Sequence, residues 1–197
     1  MFTGIIEAQG TVTAIETEGT NKHFFLSCPF IKELKIDQSL AHNGVCLTVV
    51  HIAEDQYQVT AIDETLKKTN LNEVRVGDLV NLERCMAATG RFDGHVVQGH
   101  IDQTAVCTQV EDQDGSWLFT FRYEAGNGNI TVEKGSICVN GISLTVVNSQ
   151  PDAFSVAIIP YTYEHTNLTQ VQAGTTVNLE FDIIGKYIAR ILKPQLG

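Results

Sequence analysis

The chain has 197 residues, 43% of them hydrophobic and 18% charged, a length and balance that suit one or two globular domains and exclude a disordered or fibrous chain. Its formal net charge is -10 and no basic stripe runs through it, so the surface repels phosphate and nucleic acid is excluded as a partner. No stretch approaches the roughly 20 apolar residues of a membrane helix. The cysteines Cys28, Cys46, Cys85, Cys107 and Cys138 are odd in number and contain no C-x-x-C pair, which argues against a disulfide framework or a zinc knuckle and fits a reducing compartment. Met1-Phe2-Thr3-Gly4-Ile5-Ile6-Glu7 lacks the basic and apolar regions of a signal peptide, and a cytoplasmic protein is expected.

In chain order, Gly4 to Glu16 reads as a strand with a bulge or bend at Gly10, and Lys22 to Cys28 as a second strand ended by Pro29. Val45 to Ile52 and Gln56 to Ile62 are β-branched runs separated by the polar turn Glu54-Asp55. Asp63 to Lys68 reads as a short helix, with Glu64 and Lys68 spaced for an i,i+4 pair. Leu79 to Glu83 is a closing strand, and Arg84 to Gly94, with Gly90, is a polar linker. Ser116 to Tyr123 is a further strand, and Gly126-Asn127-Gly128-Asn129 a turn. Short strands with brief turns and little helix predict small antiparallel barrels with filled interiors, so that ligands must bind outside them. At the end, Ile183, Ile184, Tyr187, Ile188, Ile191 and Leu192 form one helical stripe, with Lys186, Arg190 and Lys193 away from it and Pro194 as a stop. After two complete barrels that stripe needs a surface, and copies of itself are the expected one.

The chain is organised by a repeat. Ser39 to Glu83, moved forward by 97 positions, lies on Ser136 to Glu180 without a gap, with about 20 of 45 positions identical, among them Asn43-Gly44, Leu47-Thr48-Val49-Val50, Thr69-Asn70-Leu71 and Val80-Asn81-Leu82-Glu83. Gly4-Ile5-Ile6-Glu7 recurs as Gly99-His100-Ile101-Asp102, offset by 95. Two copies are too few for a solenoid and predict two similar domains in tandem. Asn43-Gly44 and Asn140-Gly141 read as hairpin turns. Positions that differ between the copies point to a role that only one performs: Cys46 against Ser143, Ile5 against His100, Cys85 against Asp182, and Asp37 against Lys134. Each has a plain structural alternative. Cys46 can be a small buried hydrophobe, Asp182 a helix N-cap and His100 a satisfied strand histidine. His95 and His100, in G-H-V-V-Q-G-H, would face opposite sides of an extended strand, and no third ligand has matching spacing for a metal.

Met1 to Glu7, Ala41-His42-Asn43-Gly44-Val45-Cys46-Leu47-Thr48-Val49, Gly94-His95-Val96-Val97-Gln98-Gly99-His100-Ile101-Asp102 and Asn140-Gly141-Ile142-Ser143-Leu144-Thr145-Val146, in this order, resemble the riboflavin synthase family (α chain) over the whole chain. The resemblance implies an all-β subunit of two tandem Greek-key six-stranded antiparallel barrels plus a C-terminal helix. Its domains would be residues 1–94, 95–182 and a trimerisation helix and tail over 183–197. It also implies dismutation of two 6,7-dimethyl-8-ribityllumazine molecules. One gives a four-carbon unit to the other, yielding riboflavin and 5-amino-6-(ribitylamino)uracil, with no metal or other cofactor. The site would lie between the N-terminal barrel of one subunit and the C-terminal barrel of the next in a homotrimer, and lumazine synthase is a further partner to test for. Duplication suits this chemistry, since two similar pockets hold two identical molecules in register. The pattern assigns catalytic roles to Cys46 and Ser39 in the first copy and to His100, Ser143 and Asp182 in the second. Gly4, Ile5, Ile6, Leu47, Thr48, Thr60, Ala61, Ile62, Asp63, Glu64 and Thr65 would contact substrate. So would Gly99, Ile101, Lys134, Leu144, Thr145, Ala157, Ile158, Ile159, Pro160, Tyr161 and Thr162. Asp93 stands where many members have Gly. The same fold in the lumazine proteins of luminous bacteria holds a fluorescent ligand without turning it over, and such an antenna is the alternative.

Overall fold

A computed structural model describes residues 1–126 and 128–192; Asn127 of the predicted turn and Lys193 and Pro194 of the predicted helix end lie outside the described residues. Twelve strands close into two barrels. The first contains β1 (Ala8–Glu18), β2 (Asn21–Ser27), β3 (Ser39–His42), β4 (Val45–Ile52), β5 (Tyr57–Ala61) and β6 (Leu79–Arg84), joined around the barrel in the order β1-β2-β5-β4-β3-β6. The second contains β7 (Gln103–Asp112), β8 (Trp117–Tyr123), β9 (Ser136–Val139), β10 (Ile142–Val147), β11 (Ala153–Ile158) and β12 (Thr176–Phe181). Its order, β10-β11-β8-β7-β12-β9, is the same circuit. Every pairing is antiparallel, and closure leaves no free edge among these strands. α1 (Asp63–Lys68) and α2 (Pro160–His165) occupy equivalent places after β5 and β11, and α3 (Ile183–Leu192) follows the second barrel.

Alternation builds the cores. Tyr57, Val59 and Ala61 of β5 are buried while Gln58 and Thr60 are not, and Val49, Val59, Leu40 and Leu82 fill the first interior. Phe119, Phe121, Phe154 and Leu179 fill the second. One difference between these interiors is polar. His42 and Tyr57, paired at 2.9 Å, stand where the second barrel has Val139 and Phe154.

The strand expected from Gly4 begins at Ala8, and the bulge lies between Val12 and Ala14 rather than at Gly10. The α1 prediction coincides with the helix, which carries the Glu64–Lys68 pair at 3.0 Å and a second pair, Asp63–Lys67, at 2.6 Å. Both pairs are exposed and contribute little.

The two barrels are joined by polar groups that the repeat kept in both copies. Asn81 Nδ2 donates to Asn167 Oδ1 (2.8 Å) and Asn167 Nδ2 to Asn43 Oδ1 (3.0 Å); Asn70 Nδ2 donates to Asn140 Oδ1 (3.2 Å) and the Asn70 amide to Asn178 Oδ1 (2.7 Å). All six asparagines are buried and joined in a polar network built from equivalent residues of the two copies, with Asn70 Oδ1 the one buried side-chain oxygen among the described residues left without a partner. Asn43 and Asn140 do turn their hairpins with positive φ, as expected, and their side chains also bind across the junction.

α3 is held on one side and free on the other. Asp182 Oδ1 accepts the Ile184 amide (2.9 Å), as an N-cap does, and Lys186 Nζ reaches Asp102 (2.6 Å). Ile184, Tyr187, Ile188, Ile191 and Leu192 are exposed.

Candidate active site

Residues 2–6 and 97–101 leave their own barrels and run between the two. Phe2 and Val97 exchange backbone hydrogen bonds (2.7 and 3.1 Å) and, with Ala41 and Cys138, form a small buried cluster against which Cys46 packs. From there the segments cross. The Cys46 amide donates to Gly99 O (2.9 Å), and Ile101 packs on the first core. The Ser143 amide donates to Gly4 O (2.8 Å), and Ile6 packs on the second core. Only glycine fits at the two crossing points. Gly4 has φ +79 and Gly99 φ +82, and a Cβ would lie 2.7 Å from Ser143 and 2.6 Å from Cys46 respectively.

Each barrel then presents an outer shelf. On the first, Cys46 and Thr48 face outward from β4, and the register Val49↔Val59 sets Thr48 beside Thr60. Ile62, exposed, and the first turn of α1 continue this surface. On the second, Ser143 and Thr145 face outward, Ala157 lies beside Thr145, and exposed Ile159 leads into α2 with Tyr161, which stacks on His165 at 4.1 Å. The shelves match in backbone and differ in chemistry: thiol against hydroxyl, Thr60 against Ala157, Asp63-Glu64 against Pro160-Tyr161.

The Cys46 thiol is half-buried, and burial raises its pKa while the hydrogen-bonding Ser39 hydroxyl pulls the other way. Ser39 also faces a cleft of about 600 Å³ with Ile5, Cys85, Arg84 and Arg91. On the second shelf, His95 Nδ1 lies 2.7 Å from the Ser143 hydroxyl. Burial lowers the His95 pKa and the Asp182 charge opposes it, so burial favours the neutral ring, whose Nδ1 is an acceptor for the Ser143 hydroxyl in the tautomer protonated at Nε2. His100 is exposed, between Gly99 and Ile101, on a loop rather than the expected strand. Lys134, exposed with φ 64, occupies the turn before β9 that Asp37 (φ 72) occupies before β3.

The structure does not bring all the expected residues to a surface. Leu47, Ala61 and Ile158 are buried in the barrel interiors and Leu144 packs against the second core, so only their backbone can face a ligand. Thr65 and Thr162 use their carbonyls to accept from Thr69 and Thr166. Gly99 and Ile101 of the second copy abut the first barrel, and Gly4 and Ile6 of the first copy abut the second. Sequence reasoning missed three features. His95 entered only as a metal ligand, and its pairing with Ser143 joins residues 48 apart. Glu83 and Glu180 were seen only as matched positions, yet each is a buried carboxylate: Glu83 accepts from the Thr3 and Gly4 amides, and Glu180 from those of Gln98, Gly99 and His100. The signal available was identity between copies at a charged residue inside a strand. Among the described residues no cluster of His, Cys, Asp or Glu could hold a metal ion.

The sequence model of the family described as the lumazine binding domain matches residues 3–85 and again 98–182. The chain is 39% identical over 193 residues to a riboflavin synthase of Bacillus subtilis (strain 168) and 41% identical over 193 residues to one of Actinobacillus pleuropneumoniae, covering 98% of this chain and 90% of each relative. It is 40% identical to a riboflavin synthase of Mycobacterium tuberculosis (strain ATCC 25618 / H37Rv), with 98% of both chains covered. Among solved structures, LumP complexed with 6,7-dimethyl-8-(1'-D-ribityl) lumazine superposes with a TM-score of 0.83 at 22% identity, covering 91% of this chain and 98% of that one, a likeness of fold alone.

Proposed function

The chain belongs to the lumazine-binding domain family, which it contains twice over, and on that premise we propose that it is a riboflavin synthase converting two molecules of 6,7-dimethyl-8-ribityllumazine to riboflavin and 5-amino-6-(ribitylamino)uracil. One observation carries this beyond simple binding: two shelves of the same backbone carry different reactive groups, Cys46 and Ser143. A dismutation of identical molecules needs that combination. Both must be held alike, but one gives carbon and the other takes it. The four carbons lost by one lumazine are those gained by the other, so the exchange balances without an oxidant.

The ring of each lumazine lies along a shelf, with Thr48 or Thr145 beneath it and the Gly99–Ile101 or Gly4–Ile6 loop at its edge. Pre-placing the two rings removes the entropic cost of their encounter. Catalysis then requires removal of a proton from the acidic C7 methyl, addition of a nucleophile to the ring and protonation of leaving groups. His100, exposed and free to face ligand, moves the methyl proton. Cys46, whose thiol burial keeps protonated, donates or receives through S–H at the ring rather than as a standing thiolate. Ser143, with His95 to accept its proton, is the hydroxyl that adds to the partner ring or orders the water that does so. Asp182 opposes the loss of basicity that burial imposes on His95. Ser39, Lys134 and the residues around α1 and α2 hold the ring edges and the ribityl chains.

The reacting pair sits between the first barrel of one subunit and the second barrel of its neighbour. The exposed stripe Ile184, Tyr187, Ile188, Ile191 supports a homotrimer in which three α3 helices bury these faces on one another. The protein works in the cytoplasm, and mixing with lumazine synthase before sizing tests for that partner. Incubating pure protein with the lumazine alone tests the activity: riboflavin accumulates if this reading is right. Tight binding with bound fluorescence and no riboflavin identifies a non-catalytic antenna instead.

A further inference from the structure

The buried carboxylates Glu83 and Glu180 are not accounted for by folding of their own barrels. Glu83 lies on β6 of the first barrel at 4% exposure, and Glu180 on β12 of the second at 2%. Neither has a cationic partner among the ion pairs of the described residues. Instead each is filled by backbone N–H groups. Glu180 Oε1 accepts Gln98 N (2.6 Å), and its Oε2 accepts Gly99 N (2.8 Å) and His100 N (2.9 Å). Glu83 Oε1 accepts Thr3 N (2.6 Å) and Thr3 Oγ1 (2.9 Å), and its Oε2 accepts Gly4 N (2.9 Å). An ionised carboxylate taken out of water is retained only where such donors replace the solvent. What these donors have in common is the glycine loop they belong to, and each loop is lodged against the opposite barrel, Gly99 on Cys46 and Gly4 on Ser143.

We propose that Glu83 and Glu180 are positioning residues wired crosswise: Glu180 of the second barrel sets the loop that completes the shelf of the first, and Glu83 of the first barrel sets the loop that completes the shelf of the second. This deepens the riboflavin synthase reading and rests on it for the reaction, though not for the geometry. A carboxylate can receive three N–H groups at once, whereas the isosteric amide must turn an NH₂ toward one of them and push the loop away. Displacement of a reacting group by about an ångström costs on the order of 10²-fold in rate.

The test is a pair of double-mutant cycles on the full-length protein, with kcat and KM for 6,7-dimethyl-8-ribityllumazine as readouts. Glu180→Gln lowers kcat by about 10²-fold, KM changes by less than about threefold, and the loss is non-additive with Cys46→Ala but additive with Ser143→Ala. Glu83→Gln shows the reverse couplings. Glu180→Asp, which keeps all acceptor oxygens, recovers part of the loss and serves if the amide variant fails to fold. Coupling of each glutamate to its own barrel, or wild-type kcat in both amide variants, overturns the proposal. If the wild-type protein makes no riboflavin, the functional reading has failed, and the same cycles read by lumazine binding affinity still decide the crossed wiring.

Discussion

Replacing His42 and Tyr57 by the residues that hold their places in the second barrel, as His42→Val with Tyr57→Phe, removes an acid-sensitive element from the first barrel. His42 is buried, its Nδ1–H donates to Leu40 O (3.0 Å), and its Nε2 accepts from the Tyr57 hydroxyl (2.9 Å). Both ring nitrogens are therefore used in the neutral form. Burial pushes the pKa down from 6.5 to about 4, opposed by the Leu40 contact. Because the folded pKa lies below the unfolded one, the unfolded chain binds the proton first, and stability present above about pH 6.5 is lost as the pH falls toward 4. Each tenfold difference in proton affinity between the folded and unfolded chain is worth about 1.4 kcal/mol, so the loss between neutral pH and pH 4 is about 3 kcal/mol. Glu83 and Glu180, with pKa values raised by burial, act with the opposite sign, but they are present in both proteins and cancel in the comparison. Urea unfolding followed by circular dichroism at a series of pH values gives the difference. The double variant matches wild type within about 1 kcal/mol at neutral pH, because both partners are removed together, and gains relative to wild type as the pH falls. His42→Val alone strands the Tyr57 hydroxyl and costs about 1–3 kcal/mol at neutral pH. Parallel loss of stability in wild type and the double variant across this range refutes the reasoning.

Four further outcomes are expected. Cys46→Ala and His100→Ala each slow riboflavin formation by at least about tenfold while circular dichroism and oligomer size are unchanged, since His100 is exposed and Cys46, only half-buried, loses a single atom at the edge of the small Phe2–Val97 cluster. His95→Ala slows it likewise and flattens the acid limb of the kcat/KM–pH profile, because the neutral ring that accepts from Ser143 is gone. Gly99→Ala, which forces a Cβ into Cys46, lowers the melting temperature and activity together, and a crystal structure of the variant shows residues 98–100 displaced. A chain ended before Ile184 keeps both barrels by circular dichroism but elutes as a smaller species on sizing, since the stripe through which the subunits are proposed to associate is removed.

The fold was legible because it was written twice. The self-match from Ser39 to Glu83 spans β3 through β6 in one reading and β9 through β12 in the other, while the inward alternation of Tyr57, Val59 and Ala61 showed only in the structure. The short strand β3 was not legible, since four residues, Ser39–His42, are too few to show a period. The shelf residues Cys46, Thr48, Ser143 and Thr145 were legible from the differences and identities between copies. The crossing of residues 2–6 and 97–101 was not. Gly4-Ile5-Ile6 resembles the start of β1, and only the distant partners Glu83 and Ser143 show that it belongs between the barrels. The asparagines were misread in part for the same reason: a turn signal is local, whereas Asn167 meets Asn43 across 124 positions.

The central claim, that one reaction site is assembled from the first barrel of one subunit and the second barrel of the next, is tested most directly by mixing two inactive variants. Cys46→Ala and Ser143→Ala proteins are unfolded together, refolded as a mixture and assayed for riboflavin from the lumazine alone. Hybrid trimers then contain junctions where an intact first barrel faces an intact second barrel, and activity rises well above either variant refolded alone. A mixture no more active than its components contradicts the account and places both shelves of a working site in a single chain.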